Sequence, residues 1–179
     1  MGPLRRGKGK QVPTKAEMVQ LEDAAWSRFE EAVESLSEEQ IVEPGYYPDD
    51  DWSVKDLIAH VGSWMAEAAS MLERIRFGTY EPDTRDTDDL NKEFYEANRD
   101  LPLDVVRAEC HSARIRILQE WDALPAITTE ALEWFDESAA KHCAEHQPRL
   151  DEWGKELRSR ASAPGDGRVS ADESGAPSG

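Results

Sequence analysis

The chain has 179 residues, enough for one domain with a genuine hydrophobic core and too few to call for two. Its 38 acidic residues against 21 basic ones give a net charge of −17, a balance that on charge alone argues against a nucleic acid or an anionic membrane as partner. Two cysteines, Cys110 and Cys143, cannot form a disulfide framework, and no apolar run is long enough to span a bilayer, so a cytoplasmic protein is expected.

Residues 1–13 are rich in Gly, Lys and Arg (Arg5, Arg6, Lys8, Lys10) and read as a flexible basic arm. They carry positive charge with no apolar stretch after it, unlike a secretory signal, and Arg6 stands where a myristoylation motif at Gly2 would need Ser or Thr. Residues 161–179 hold one large apolar residue, Val169, and cannot repay the entropy of ordering. The folded unit is therefore expected over 14–160.

The first helix opens at Thr14-Lys-Ala-Glu17, a capping box in which hydroxyl and carboxylate satisfy orphan amides. Met18, Leu21, Ala25, Phe29, Val33 and Leu36 step by three and four along it, and a loop with Pro44, Gly45 and Pro48 ends it. A second capping pattern at Ser53-Val-Lys-Asp56 starts a helix with a buried face from Leu57 to Ile75 and Gly78 as its C-cap. An aspartate-rich stretch over Asp83–Asp89 follows; it lacks the Gly and terminal Glu of an EF-hand and reads as a solvated loop over the bundle mouth. After a short helical piece at Asp89–Asn98, Pro102 begins a third long helix with Val106, Cys110, Ala113, Ile117, Trp121 and Leu124 on one face. The fourth is predicted as one helix from Thr129 to Ser159. With no sustained period-two pattern, the fold class is all-α, an antiparallel four-helix bundle, and dimerisation through an exposed apolar face is possible.

The histidines carry the chemistry. His142 and His146, at i and i+4, share one face of the last helix, in the middle of a stripe formed by Phe135, Ala139, Leu150, Trp153 and Leu157. Buried imidazoles need partners, and His60, between Leu57 and Trp64, is placed to join them. Three neutral imidazoles from two helices suit a divalent cation (Zn²⁺ first, with Ni²⁺, Mn²⁺ or Fe²⁺ as alternatives) and leave coordination positions open. A His-x-x-x-His pair alone is a weak signal, because a core histidine is more often merely hydrogen-bonded. His111 flanks its stripe near Arg107 and Arg114 and reads as a boundary residue. Those arginines could grip an anion, but salt bridges to the many acids are the simpler expectation. The tryptophans Trp52, Trp64, Trp134 and Trp153 read first as packing residues.

The segments Trp52-Ser-Val-Lys-Asp-Leu-Ile-Ala-His60 and His142-Cys-Ala-Glu-His146-Gln-Pro-Arg-Leu150, with Leu90-Asn91 between them, resemble the DinB/YfiT-like superfamily of metal-binding four-helix bundles. The resemblance spans about residues 14–158. It is nearest to the ClbS/DfsB-type and related DinB-like branches, and more distant from the N-terminal domain of mycothiol-dependent maleylpyruvate isomerases. It implies metal ligands at His60, His142 and His146. It also implies a small-molecule enzyme, a hydrolase or thiol-dependent transferase serving detoxification or self-protection, in which a metal-activated water or low-molecular-weight thiol attacks an electrophile. A non-catalytic binding or sequestration protein with a structural metal is the alternative. Glu67, two turns after His60, is the candidate general base, although with so many acids in the chain a solvated surface role is the default for it.

Overall fold

The computed structural model describes residues 12–47 and 51–162. The arm up to residue 11, Pro48 and the tail after residue 162 lie outside the described residues, so the expectations for the arm and tail are not addressed there. Seven helices follow one another: α1 (Lys15–Glu34), α2 (Glu38–Val42), α3 (Val54–Phe77), α4 (Thr87–Asn98), α5 (Leu103–Ala123), α6 (Thr129–Ser138) and α7 (Ala140–Ser162). The helix starts read from the sequence are built as expected: Thr14 with Glu17, and Ser53 with Asp56, form reciprocal capping boxes. Gly78 closes α3 at φ 70°, a left-handed position that glycine adopts without a Cβ penalty.

Cross-helix contacts set the topology. Lys15 at the start of α1 donates to the carbonyls of Asp122 and Leu124 at the end of α5, so these two helices are antiparallel. Lys55 at the start of α3 reaches the Arg99 and Leu101 carbonyls just before α5, and Arg76 near its end pairs with Glu120 near the end of α5. The central pair, α3 and α5, therefore runs parallel, and α1 and α7 run against it. The chain is a four-helix bundle in an up-down-down-up order, two parallel pairs packed antiparallel to each other rather than four helices alternating in direction. A parallel pair needs a return connection along its whole length, and residues 78–102, with α4 inside them, supply it. Close approach of α3 and α5 depends on Gly62, where a Cβ would come within 2.9 Å of the Cys110 Cα.

Three details differ from the sequence expectation. Helix α2 was not anticipated, although Ser37 and Gln40 form a third capping box. The single helix expected over 129–159 is broken at Ala139, at φ −121° and ψ −91°, into α6 and α7. The break lets α6 lie across the end of the bundle, where Phe135 stacks on Trp121 with centroids 4.3 Å apart. On α1, Leu21 is exposed, and Glu22 and Trp26 turn inward beside Met18, Phe29 and Val33. Glu22 is only 1% exposed because Arg114 of α5 grips both its oxygens at 2.8 Å. Both cysteines are buried and free, and burial pushes each thiol up to about 12. Among the described residues no helix is long and apolar enough to cross a membrane.

Candidate metal centre

The sequence places His60 six residues into α3 and His142 and His146 on successive turns of α7, and the antiparallel packing of those helices brings the three together. Their ligand atoms all lie within 4.8 Å of one another. The Nε2 atoms of His60 and His142 stand 2.9 Å apart, and the His146 ring centroid lies 5.2 Å from that of His60 and 4.9 Å from that of His142. His142 is buried, and the other two are half-buried.

All three rings are held in the neutral state. Burial depresses His60 to about 3 and His142 to about 2, with the neighbouring imidazoles adding to the effect. His146 is lowered for the same reason, loss of solvent. Neutral imidazole is the form that offers a lone pair to a cation. Two nitrogens bound to one ion at typical bond lengths stand about 3 Å apart, close to the separation of His60 and His142 here. The donor set therefore fits a divalent cation.

Surrounding groups orient the rings. Tyr47 Oη lies 3.1 Å from His146 Nδ1, leaving Nε2 for a ligand, and the direction of that hydrogen bond follows the tautomer. Trp52 meets the His60 ring edge-on at 5.5 Å and is itself held by a stack on Tyr95 and an edge contact with Tyr47. His60 Nδ1 is buried without a hydrogen-bond partner, so nothing on that side fixes which nitrogen is protonated.

The cluster opens into a cavity of about 630 Å³. Its walls include Trp64, Tyr80, Asn91 and Trp134, and the Trp64 indole is fixed by a 2.9 Å bond to Asn91. Trp134 Nε1 lies 3.3 Å from Tyr80 Oη. Of the tryptophans read as packing residues, Trp153 is fully buried in the core, whereas Trp64 and Trp134 face the cavity. Asp83 also lines it, and Asp86 caps α4, so the aspartate-rich stretch does reach the mouth. Glu67 does not line the cavity; its carboxylate is held by Arg85. Besides Asp83, the carboxylates that line it are Glu133 and Glu137 of α6 and Glu145 of α7, none of them singled out from the sequence. His111 lies 53% exposed, 3.4 Å from Glu30, and Arg114 is taken up by Glu22 and Asp23, as the salt-bridge reading expected.

Comparison with known proteins bears on the family and the fold. The family described as the mycothiol maleylpyruvate isomerase N-terminal domain matches residues 23–142. The chain belongs to that family. The match takes in His60 and His142 and ends before His146. No curated protein matches the sequence. Among solved structures, an uncharacterised protein from Escherichia coli UTI89 superposes with a TM-score of 0.69 at 18% identity, covering 82% of this chain and 96% of that one. The colibactin self-resistance protein ClbS, solved in complex with a double-stranded DNA, gives 0.68 at 16% identity over 81% of this chain and 98% of its own. DfsB, described as a sibling lethal factor precursor, gives 0.67 at 16% identity over 83% and 99%. At these identities the likeness is one of fold, and it is the family match over residues 23–142, with that fold beside it, that supports a DinB/YfiT-like helical family.

The ClbS complex overturns one expectation. Net charge was read as excluding nucleic acid, yet a protein of this fold is found on a DNA duplex. A total charge is a sum over the whole chain, whereas a duplex is met by one local surface, so the total does not decide the matter.

Proposed function

We propose that this protein is a metal-dependent small-molecule enzyme in which His60, His142 and His146 hold a divalent cation, Zn²⁺ before Ni²⁺, Mn²⁺ or Fe²⁺, at the floor of the cavity. When bound, such an ion lowers the pKa of a water or a low-molecular-weight thiol and so supplies a nucleophile at neutral pH. The observation that carries the reading is the convergence of three neutral, mutually facing imidazoles on a cavity wide enough for an organic substrate.

In this reading the protein's own residues divide the work. The histidines stay unprotonated because burial denies them a stable charge. Tyr47 holds the His146 ring in register, and Trp64, Tyr80 and Trp134 form apolar walls that position the electrophile and exclude water from it. Glu67, considered as a general base, acts instead by anchoring the 78–86 loop through Arg85. Hydrolysis and thiol transfer are both served by such a site, and detoxification or self-protection in the cytoplasm is the setting proposed for it.

Elemental analysis of the purified protein, followed by titration with Zn²⁺, tests the first step. One equivalent bound by the parent and lost in His142→Ala is the expected result. No ion as purified and none taken up would sink the proposal. Incubation of the metal-loaded protein with small thiols and electrophiles then separates enzyme from binder: a binding protein with a structural metal loses stability on chelation but has no turnover to lose.

A further inference from the structure

The cavity above the histidines is lined by four carboxylates, Asp83, Glu133, Glu137 and Glu145, and among the described residues by no lysine or arginine. Two cations that pair with carboxylates of this wall are each shared with a second acid. Arg85 is shared between Asp83 and Glu67, and Lys141 between Asp136 and Glu137. Glu133 and Glu145 are exposed and have no ion-pair partner among the described residues. They stand on either side of the break at Ala139, Glu133 on α6 and Glu145 on α7.

A carboxylate-bearing substrate entering this cavity meets a wall with no side chain to pair its charge. An organic cation meets two free carboxylates and three aromatic rings. The indoles of Trp64 and Trp134 line the cavity and are tied by their N–H groups to Asn91 and Tyr80, which leaves their π-systems free of any hydrogen-bonding role. The net charge of −17 adds a long-range field of the same sign, which draws cations toward the protein and slows the approach of anions.

We infer that this cavity selects organic cations, molecules bearing an ammonium or guanidinium group beside their reactive centre, with Glu133 and Glu145 as specificity-determining residues and Trp64 and Trp134 as cation-binding faces. The inference deepens the proposed function, since it names the substrate class of the same cavity. It sets the chain apart from an enzyme for dicarboxylates, which would need arginine or lysine where this cavity has glutamate.

Two aromatic probes of similar size and opposite charge test it: benzyltrimethylammonium and phenylacetate. Calorimetric titration is run on the full chain as purified and after chelator treatment, because a bound metal could itself hold a carboxylate. The ammonium ion is expected to bind the chelator-treated protein about tenfold or more tightly than phenylacetate. Glu133→Gln with Glu145→Gln, two exposed positions that leave the core untouched, is expected to reduce that preference by about fivefold and to weaken its salt dependence. Phenylacetate binding as tightly as the ammonium ion after chelation would overturn the inference. So would an unchanged preference in the double variant, or no binding of the ammonium ion at all. The two proposals fail separately: a chain that takes up no metal yet keeps the cation preference removes the enzyme reading alone. One that binds metal yet prefers phenylacetate after chelation removes only this inference.

Discussion

His60 and His142 face each other Nε2 to Nε2 at 2.9 Å, although 82 residues separate them in the chain. The two nitrogens are at hydrogen-bond distance, which one of the rings satisfies as donor only in the tautomer that carries its proton there, and burial keeps both rings neutral. The two facts together make the site sensitive to acid.

Acidification is expected to destabilise the metal-free protein in a defined window. The unfolded histidines titrate near pH 6.5, whereas in the folded state His60 is depressed to about 3 and His142 to about 2. Below the unfolded value the unfolded chain binds more protons than the folded one, so stability is full above it and falls as pH drops toward the folded values. Each histidine contributes a slope of about 1.4 kcal/mol per pH unit across that window. Denaturant melts of the parent between pH 7 and pH 4, set beside the same series for His60→Gln with His142→Gln, measure it. The variant should show the shallower dependence; equal slopes would refute the assignment.

Removing the Tyr47 hydroxyl should loosen the site without unfolding it. Tyr47→Phe keeps the ring that packs on Tyr46 and Trp52 and deletes the 3.1 Å contact to His146 Nδ1. Loss of an outer partner of a metal-binding imidazole costs on the order of tenfold or more in metal affinity. Competition titration of Zn²⁺ reads the change, and helical circular dichroism should remain at the parental level.

The buried pair of Glu22 and Arg114 predicts an asymmetric double-mutant cycle. Arg114→Met leaves a carboxylate that is 1% exposed without its main partner, at a cost of about 3–5 kcal/mol. Glu22→Leu combined with Arg114→Met should recover most of that loss, because two apolar side chains can fill the space the ions leave. Thermal or denaturant melts of the single and double variants decide it, and a double variant as unstable as Arg114→Met would show that the pair is doing something other than neutralising itself.

Much of this molecule was legible in its sequence because the relevant signals are local. Capping boxes at Thr14 and Ser53, the left-handed glycine at 78 and the three-four spacing of apolar residues fix helix ends and faces within a few residues of themselves. The His142/His146 pair was legible for the same reason. What was not legible depends on partners distant in the chain. Nothing near Glu22 announces that Arg114 will bury it, so the inward face of α1 was assigned to Leu21. The break at Ala139 leaves no Pro or Gly to mark it, and its companion, the stack of Phe135 on Trp121, joins residues far apart in the chain. Glu133, Glu137 and Glu145 look like ordinary surface acids in the sequence, and only the packing of α6 and α7 beside α3 makes them a wall of the cavity.

The parallel arrangement of α3 and α5 obliges residues 78–102 to travel back along the bundle, and on the way Tyr80, Pro82, Asp83, Thr87 and Asn91 become part of the cavity wall. The four long helices can thus stay constant while this one connection changes in length and composition. A fold wired in this way forces a connecting stretch of chain past its histidine cluster, so a change in that stretch reshapes one wall of the cavity while the helices that carry the histidines stay as they are.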